Sequence, residues 1–292
     1  MRYGKIGPMY PQRIVCLTEE TTETLYLLGE QWRIVGISGF TVRPPQARKE
    51  KPRVSAFTSA NIDRILALAP DLVLGFSDLQ ADIAARLIRL GIDVHVFNQR
   101  SVAEILQMIR VVGGMVGCEA RAAALAAQLH AGLSAIQAAA MQLPRRPRVY
   151  FEEWDTPQIS AIKWVSELIE LAGGIECFPE LAQESLGKNR IIADPQEVVR
   201  RAPDIIFGSW CGKKFKPPAV AARAGWSEIP AVRSGALHEI KSPIILQPGP
   251  AALTDGVRRM HEIIAAWARA ADRTEAPQDP CRYAVSKRKA SR

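Results

Sequence analysis

The chain has 292 residues, of which 48% are hydrophobic and 23% are charged, and its formal net charge is +8. This composition is ordinary for a globular protein, and 20 Gly and 20 Pro are too few for a collagen-like or wholly disordered chain. No stretch approaches the about 18 uncharged apolar residues that span a bilayer, so we expect no membrane insertion.

The N-terminal residues 1–12 lack the features of an export signal. A secretory signal requires an apolar run of about 7–15 residues, and MRYGKIGPMYPQ contains none. We therefore expect a cytoplasmic protein as the sequence is written, or a periplasmic one if translation starts further upstream.

Strands and helices alternate through the first 117 residues. The pattern predicts apolar strands at 13–17, 33–38, 72–76 and 94–97, helices at 18–29, 60–68, 79–90 and 102–116, and a Pro-rich loop at 40–52. This order, with short apolar strands, predicts a mostly parallel sheet covered by helices on both faces.

One long helix is predicted next, at 119–143, where the sequence is rich in Ala and Leu and contains no Pro. Twenty-five helical residues would span roughly 37 Å, which is more than the width of one small lobe. The alternation then resumes, with strands predicted at 148–151, 205–208 and 236–240 and helices at 164–172 and 253–271. The fold class we predict is α/β: two mostly parallel-sheet lobes, 13–117 and 147–271, joined by one long backbone helix within 118–146.

An internal repeat supports two similar lobes. NIDRILALAPDLVLGF at 61–76 and DPQEVVRRAPDIIFGS at 194–209 both place Ala-Pro-Asp between a short amphipathic segment and an apolar strand, 133 residues apart. Pro ends the helix and Asp suits the turn in each copy. The same pattern also fits ordinary turn chemistry, but the long helix between the copies favours a duplicated lobe.

The C-terminal residues 272–292 are polar and end in a basic cluster, so we predict a disordered tail. The tail lacks interleaved aromatic residues, so we do not expect it to bind nucleic acid. The five cysteines are dispersed and predict no zinc site.

The usual signals of an enzyme are missing. The sequence contains no dinucleotide-binding glycine motif after a strand, no phosphate-binding loop of the Walker type and no clustered His residues. Glu19-Glu20 and Glu152-Glu153 are adjacent pairs, whose side chains point apart on a helix or strand. We therefore predict a binding protein with no catalytic residues and no catalytic cofactor.

Aromatic residues stand at strand ends instead, and ligands of parallel sheets bind beyond the carboxyl ends of strands. We expect five rings to line a gap between the lobes: Phe40, Phe57, Phe76, Trp154 and Trp210. Such rings could hold a large flat ligand, which polar side chains would orient. The candidates for that orientation are Arg43, Arg190 and Gln247.

The sequence resembles the class III substrate-binding proteins of ABC importers over about residues 13–265. The motifs that carry the resemblance are RIVCL (13–17), LLG (27–29), IVGIS (34–38), VS (54–55), NID (61–63), LAPDLV (68–73), GG (173–174) and APD (202–204). Within this family the sequence is most similar to the cobalamin (vitamin B12) binding branch. The resemblance implies two lobes bridged by one helix, a shallow cleft and little closure on binding.

The resemblance also implies roles for individual residues. Phe40, Phe57 and Phe76 fall where the branch has aromatic ligand contacts, the segment 243–247 falls on its second contact loop, and Arg190 stands where an aromatic residue is usual. Family members dock on permease arginines through one acid on each lobe. The equivalent positions here are Asp63 in the first lobe, and Gln196 with the neighbouring Glu197 in the second.

We therefore expect a monomer that binds cobalamin or a related corrinoid reversibly, either as an importer subunit that meets an ABC permease or as a cytoplasmic carrier. A first alternative is an iron-siderophore or haem binding protein of the same fold. A second is an enzyme of corrinoid metabolism on this scaffold, and a third is association with nucleic acid through the basic tail.

Overall fold

The computed structural model describes residues 9–275. The N-terminal lobe is built on a sheet of five parallel strands in the order β3-β2-β1-β4-β5. Its strands are β1 (Ile14–Cys16), β2 (Ile34–Ser38), β3 (Arg53–Ser55), β4 (Leu72–Phe76) and β5 (Val94–Phe97), and its helices are α1 (Glu19–Leu27), α2 (Ala47–Glu50), α3 (Ile62–Ala67), α4 (Ala81–Arg89) and α5 (Val102–Met115). The central strand β1 is apolar and buried throughout, as a strand covered by helices on both faces must be.

The helix α6 (Glu119–Ala140) connects the two lobes and ends three residues before the predicted end. Its buried residues Ala122, Ala126, Leu129 and Leu133 recur every three or four positions, so they form one face. This face packs against α5 and against the last helix of the chain.

The C-terminal lobe has a second sheet, in the order β10-β9-β6-β7, with β8 also paired to β6. All pairs in it are parallel except β6 with β7. Its strands are β6 (Arg148–Asp155), β7 (Gln158–Ser160), β8 (Ile175–Glu176), β9 (Ile205–Gly208) and β10 (Leu237–Glu239), and its helices are α7 (Lys163–Leu171), α8 (Gln196–Arg201), α9 (Pro217–Ala221), α10 (Pro230–Ser234), α11 (Ser242–Ile245) and α12 (Val257–Glu275). The structure therefore has the predicted α/β class, with mostly parallel sheets in two lobes.

The repeated Ala-Pro-Asp units make the same contacts in both lobes. The N–H of Arg13, just before β1, donates to Asp71 Oδ1 at 2.9 Å, and the N–H of Arg148, which begins β6, donates to Asp204 Oδ2 at 2.8 Å. The alanine of each unit has a left-handed backbone, with φ of 42° and 44°. Each unit thus ends a short helix and also fixes the start of its lobe's first strand.

Several elements differ from the sequence predictions. The strand predicted at 148–151 continues to Asp155, and the predicted loop at 40–52 contains the helix α2. The last helix follows a π-helical turn (Ala252–Gly256) and continues to Glu275, past the predicted end at residue 271. The rest of the predicted tail, 276–292, lies outside the described residues.

Candidate ligand-binding cleft

The lobes contact each other at the carboxyl edge of the N-terminal sheet, near the ends of β1 and β5. Three hydrogen bonds that cross between the lobes there are Ala251 N–H to Glu23 Oε2 (3.0 Å), Gln99 Nε2 to the Pro248 carbonyl (3.0 Å) and Val102 N–H to Glu167 Oε2 (2.7 Å). Because parallel sheets bind ligands beyond the carboxyl ends of their strands, a cleft between the lobes belongs at this edge.

Three of the five predicted aromatic residues remain accessible. Phe40, after β2, is 55% exposed, and Phe57, after β3, is half-buried. Trp154 lies near the end of β6 in the other lobe and is also half-buried, with its Nε1 donating to the Thr156 carbonyl at 3.0 Å. Both lobes thus present rings at strand ends, and ligand contact by these three residues stays a prediction.

Phe76 and Trp210 are buried, each only 5% exposed, which corrects the expectation of two open ring faces, although Trp210 still lines a cavity at the carboxyl ends of β9 and β10. The guanidinium carbon of Arg100 lies 4.7 Å from the centroid of the Phe76 ring. The Trp210 ring packs edge-to-face on Phe215, with centroids 5.0 Å apart. Residues at strand ends can therefore be core residues when the following loop folds back over them.

The two predicted orienting arginines are already paired with carboxylates. Arg43 bridges the lobes, with Nε 3.0 Å from Glu23 Oε1 and Nη2 2.9 Å from Asp255 Oδ2. Arg190 is 1% exposed and donates through both Nη atoms to Glu153, at 2.7 and 3.0 Å. A buried guanidinium requires such a partner, so the expectation that these side chains are free to orient a ligand is corrected.

The segment 243–247 lies mostly within the short helix α11, where a contact loop was expected. Gln247 follows this helix and is half-buried, and its carbonyl accepts a hydrogen bond from Gly249 N–H at 2.8 Å. Its predicted ligand contact stays a prediction.

A basic cavity of about 290 Å³ lies at the carboxyl ends of β9 and β10. Its lining includes Trp210, Lys213, Lys214, Glu239 and Lys241. The ammonium of Lys213 lies 5.3 Å from the ring centroid of Trp154 and 5.2 Å from that of Trp210, within cation–π range. It also pairs with Asp155 at 2.6 Å. This cavity of the C-terminal lobe is therefore both aromatic and basic, and its lysines were not among the residues predicted from the sequence.

The helix α1 carries buried glutamates, of which Glu20 and Glu23 contact the C-terminal lobe at Gly249 and Ala251. From the sequence, Glu19 and Glu20 were considered only as an adjacent pair. Burial raises the pKa of Glu19 and of Glu20 to about 7. Glu19 accepts the N–H of Val42, and Glu20 accepts the hydroxyl of Thr18 at 2.7 Å. The sequence did contain a signal for this cluster: a run of carboxylates in the first turn of a helix that directly follows a strand.

A buried network of polar side chains contacts Trp210 through its indole nitrogen. Glu152 is fully buried and accepts two hydrogen bonds from Arg223, at 2.6 and 2.9 Å. Trp210 Nε1 and the hydroxyl of Tyr150 also donate to this carboxylate, at 3.1 and 3.0 Å. Four donors satisfy the buried charge, so the Trp210 ring is held in place by its indole nitrogen as well as by packing.

The predicted docking positions are on the surface of α3 and α8. Asp63 and Gln196 are exposed, and Gln196 Nε2 donates to the Ala224 carbonyl at 3.2 Å. Glu197 pairs with Arg200 at 2.6 Å and with Arg201 at 2.8 Å, and the hydrogen bonds from these arginines lower its pKa. A permease arginine would therefore compete for Glu197 with two arginines of this chain.

Among the side chains that the structure describes, those of residues 9–270, no three His, Cys, Asp or Glu come together as a metal site requires. Over residues 9–275, no helix combines the length and the apolar character that crossing a membrane demands.

A single long helix that connects two parallel-sheet lobes defines the class III substrate-binding proteins, and this chain is built in that way. The chain belongs to the periplasmic binding protein family, whose profile matches residues 14–244. This confirms the resemblance found in its sequence motifs.

Several known proteins are similar to this chain over most of its length. It is 27% identical to the cobalamin-binding protein of Halobacterium salinarum over 255 residues, which are 82% of this chain and 66% of that protein. The crystal structure of the periplasmic vitamin B12 binding protein BtuF of Vibrio cholerae matches 89% of this chain and 99% of its own, with a TM-score of 0.72 and 22% identity. The periplasmic heme-binding protein RhuT of Roseiflexus sp. RS-1 matches 87% of this chain and 99% of its own, with a TM-score of 0.73 and 24% identity.

Proposed function

We propose that this protein binds a corrinoid of the cobalamin type, reversibly and without catalysis, in the cleft between its lobes. The observation that carries the proposal is the presence of accessible rings at strand ends in both lobes, Phe40 and Phe57 in one and Trp154 in the other. The cobalamin-binding relative in Halobacterium salinarum supports the choice of ligand.

Ring faces suit a ligand with a broad, flat surface. Burying one aromatic side chain against such a surface contributes about 1.5–3 kcal/mol, so the burial of three rings gives enough binding free energy to hold the ligand. The cross-lobe hydrogen bonds at Glu23 and Gln99 hold the lobes together without ligand, so we expect little closure on binding.

The partner we propose is an ABC permease, reached through the exposed face of the N-terminal lobe that carries Asp63. Delivery to an importer takes place outside the cytoplasmic membrane, where the relatives described as periplasmic are found. A cytoplasmic carrier of the same ligand would not need this contact. Cell fractionation separates the two roles, because only the importer subunit is found outside the cytoplasm.

The test is calorimetric titration of the wild type and of the Phe40→Ala/Phe57→Ala/Trp154→Ala variant with cyanocobalamin. We expect the variant to lose at least about 100-fold in affinity, because it loses the ring area that contacts the ligand. The matched control is Trp32→Ala, which removes an exposed ring just before β2, at the opposite edge of the sheet, and should leave affinity unchanged.

Equal affinity of the triple variant and the wild type would contradict the cleft assignment. A wild type that binds haem, followed by its visible absorbance, and does not bind cyanocobalamin would replace the corrinoid with haem in the proposal. Thermal denaturation of each variant checks that a loss of affinity is not a loss of folding.

A further inference from the structure

A second feature of the cleft is Arg100, which follows β5 and which the sequence reasoning did not single out. Its neighbours Gln99 and Val102 both hydrogen bond to the C-terminal lobe, at 3.0 and 2.7 Å. Arg100 therefore lies on the segment where the lobes meet. Only 15% of its side chain is exposed.

The backbone of Arg100 is held by the capping box of α5. The N–H groups of Arg100 and Ser101 both donate to Glu104 Oε2, at 2.6 and 2.9 Å. Ser101 Oγ in turn accepts from the N–H of Glu104 at 3.2 Å. This reciprocal arrangement fixes the chain direction at a helix start, so the Arg100 side chain leaves from a rigid position.

The guanidinium of Arg100 covers the ring face of Phe76, at 4.7 Å from the guanidinium carbon to the ring centroid. Cation–π contact of this kind holds a guanidinium in place but leaves its charge without an anion. The ring face that was expected to meet the ligand is thus occupied by a cation.

The charge of Arg100 is poorly compensated by the described residues. The nearest carboxylate oxygen in an ion pair is Asp78 Oδ1, 3.9 Å from Nη2, and Nη2 donates to Asn98 Oδ1 at 2.9 Å. Arg100 Nε is buried and has no hydrogen-bond partner within residues 9–275. An unpaired buried N–H is costly, so the guanidinium favours a further acceptor, which would approach through the 15% of the side chain that remains exposed.

The groups that face Arg100 from the other lobe do not supply that acceptor. The charges of Arg190 and Glu153 both act on the guanidinium of Arg100. Glu153 is not available as its acceptor, because both carboxylate oxygens already accept from Arg190, at 2.7 and 3.0 Å. Burial lowers the pKa of Arg100, as expected for a cation whose water has been removed without a full replacement.

We propose that Arg100 receives an anionic group of the ligand, a phosphodiester or a carboxylate, at the floor of the cleft and so determines which ligands bind. This rests on the proposed function, since the anion is carried by the flat ligand that the rings hold. Arginine presents a planar fork of N–H donors that fits both kinds of oxyanion. A ligand without an anionic group would leave the guanidinium of Arg100 without a closely paired anion.

The experiment uses two ligand pairs in which one member carries an anionic group and the other lacks it. The first pair also differs in the rest of the nucleotide, so the change of the ratio between variants, not the wild-type ratio alone, reports on Arg100. Cyanocobalamin carries a phosphodiester that dicyanocobinamide lacks, and haem carries carboxylates that haem dimethyl ester lacks. Calorimetry gives the affinity ratio within each pair for the wild type and for the Arg100→Gln, Arg100→Lys and Arg110→Gln variants. Arg110 is exposed on α5, about 15 Å further along the helix, and controls for the loss of one positive charge.

We expect the wild type to prefer the anionic member of one pair by at least about tenfold, the size of one well-placed charged contact. Arg100→Gln should reduce that affinity ratio to within twofold without weakening the binding of the member that lacks the anionic group. Arg100→Lys should restore part of the ratio. Arg110→Gln should keep the full ratio. The pair that shows the preference identifies the anion as phosphodiester or carboxylate.

Ratios that are the same in the wild type and in Arg100→Gln would overturn the role of Arg100 and leave the proposed function standing. Binding of none of the four ligands would overturn the proposed function. Inorganic phosphate then tests Arg100 alone, through the Nε–Hε resonance of its side chain: a shift on titration supports the anion site, and no shift overturns it.

Discussion

Glu176, on the short strand β8, is a buried carboxyl group with incomplete hydrogen bonding. Its Oε2 accepts from the N–H of Phe178 at 2.7 Å, and its Oε1 is buried with no partner among the described residues. Burial raises its pKa to about 8, and the nearby charges of Glu180 and Glu170 add to the shift. The folded protein therefore binds a proton here that the unfolded chain releases near pH 4.5.

This sets the direction of a pH effect on stability. Between about pH 4.5 and pH 8 the folded state holds more protons than the unfolded state, so the free energy of unfolding falls as pH rises. Glu176→Gln keeps the shape of the protonated side chain and removes the titration. At 1.36 kcal/mol per pKa unit, we expect the variant to exceed the wild type by roughly 4 kcal/mol at pH 8 and to match it near pH 4.

Urea denaturation at the two pH values measures this difference. The control is Glu228→Gln, which alters an exposed carboxylate paired with Arg233 and should change stability by less than about 0.5 kcal/mol at either pH. A Glu176→Gln variant no more stable than the wild type at pH 8 would mean that Glu176 titrates as an ordinary exposed acid.

The sequence singled out Arg43 and Arg190 as candidate site residues, but it did not predict that each is paired with a carboxylate. Their partners Glu23 and Glu153 are 20 and 37 residues away along the chain. Such pairs depend on how loops from different strands meet, and no local pattern in the sequence encodes that.

Among the helices, α5 and α6 pack closely because α5 carries a glycine at their contact. A methyl group at Gly113 would overlap with the Cβ of Ala122 on α6. The next residue, Gly114, has open space around the same position. The two adjacent glycines therefore have opposite roles, one in helix packing and one without a packing constraint.

We expect Gly113→Ala to lower the free energy of unfolding by about 1–3 kcal/mol, since a tight contact between two helices must open. Gly114→Ala, its matched control, should raise it by roughly 0.5–1 kcal/mol, because alanine favours the helix more than glycine does. Thermal or urea denaturation measures both. Two variants of equal stability would contradict the close approach of α5 to α6.

The apolar strands and long helices could be predicted from sequence, whereas the short elements could not. The strands β3, β7 and β8 have only two or three residues and contain charged or polar side chains, so their pattern does not differ from that of a loop. They form because a neighbouring strand offers its edge. The strand β6 is longer than predicted for the same reason, since pairing with β7 extends it through Glu152 to Asp155.

The contact between the two lobes depends on a glycine in the C-terminal lobe. A Cβ at Gly249 would lie 2.5 Å from the Cβ and 3.1 Å from the Cα of Glu20 on α1. The Cα belongs to the backbone of α1, so a change in the Glu20 side chain alone cannot relieve the clash.

Gly249→Ala should therefore push the lobes apart at this point. We expect a loss of about 1–3 kcal/mol in stability, as for other overpacked contacts, and at least tenfold faster hydrogen exchange at the N–H of Ala251, which donates to Glu23. The control is Gly187→Ala, whose nearest neighbour is Ile159 Cδ1 at 3.7 Å. Unchanged exchange at Ala251 in Gly249→Ala would show that the lobes accommodate the methyl group without separating.

For the whole molecule, the repeat at Ala-Pro-Asp and the Ala-rich segment were sufficient to predict two lobes and one connecting helix. The contacts across the cleft were beyond the sequence, because Gly249, Glu20 and Arg100 belong to no periodic pattern. Their positions follow from the docking of one lobe on the other.

The contact between Glu23 and Ala251 joins residues 228 positions apart, which affects events during synthesis on the ribosome. At about 5–20 residues per second, the carboxylates of α1 leave the exit tunnel roughly 10–45 s before the segment that covers them. We expect Glu20 and Glu23 to remain in water until then, although the last strand of the first sheet, which ends at Phe97, emerges about a third of the way through the interval. The nascent first lobe therefore matures in two stages, and the second stage waits for nearly the last part of the chain to arrive.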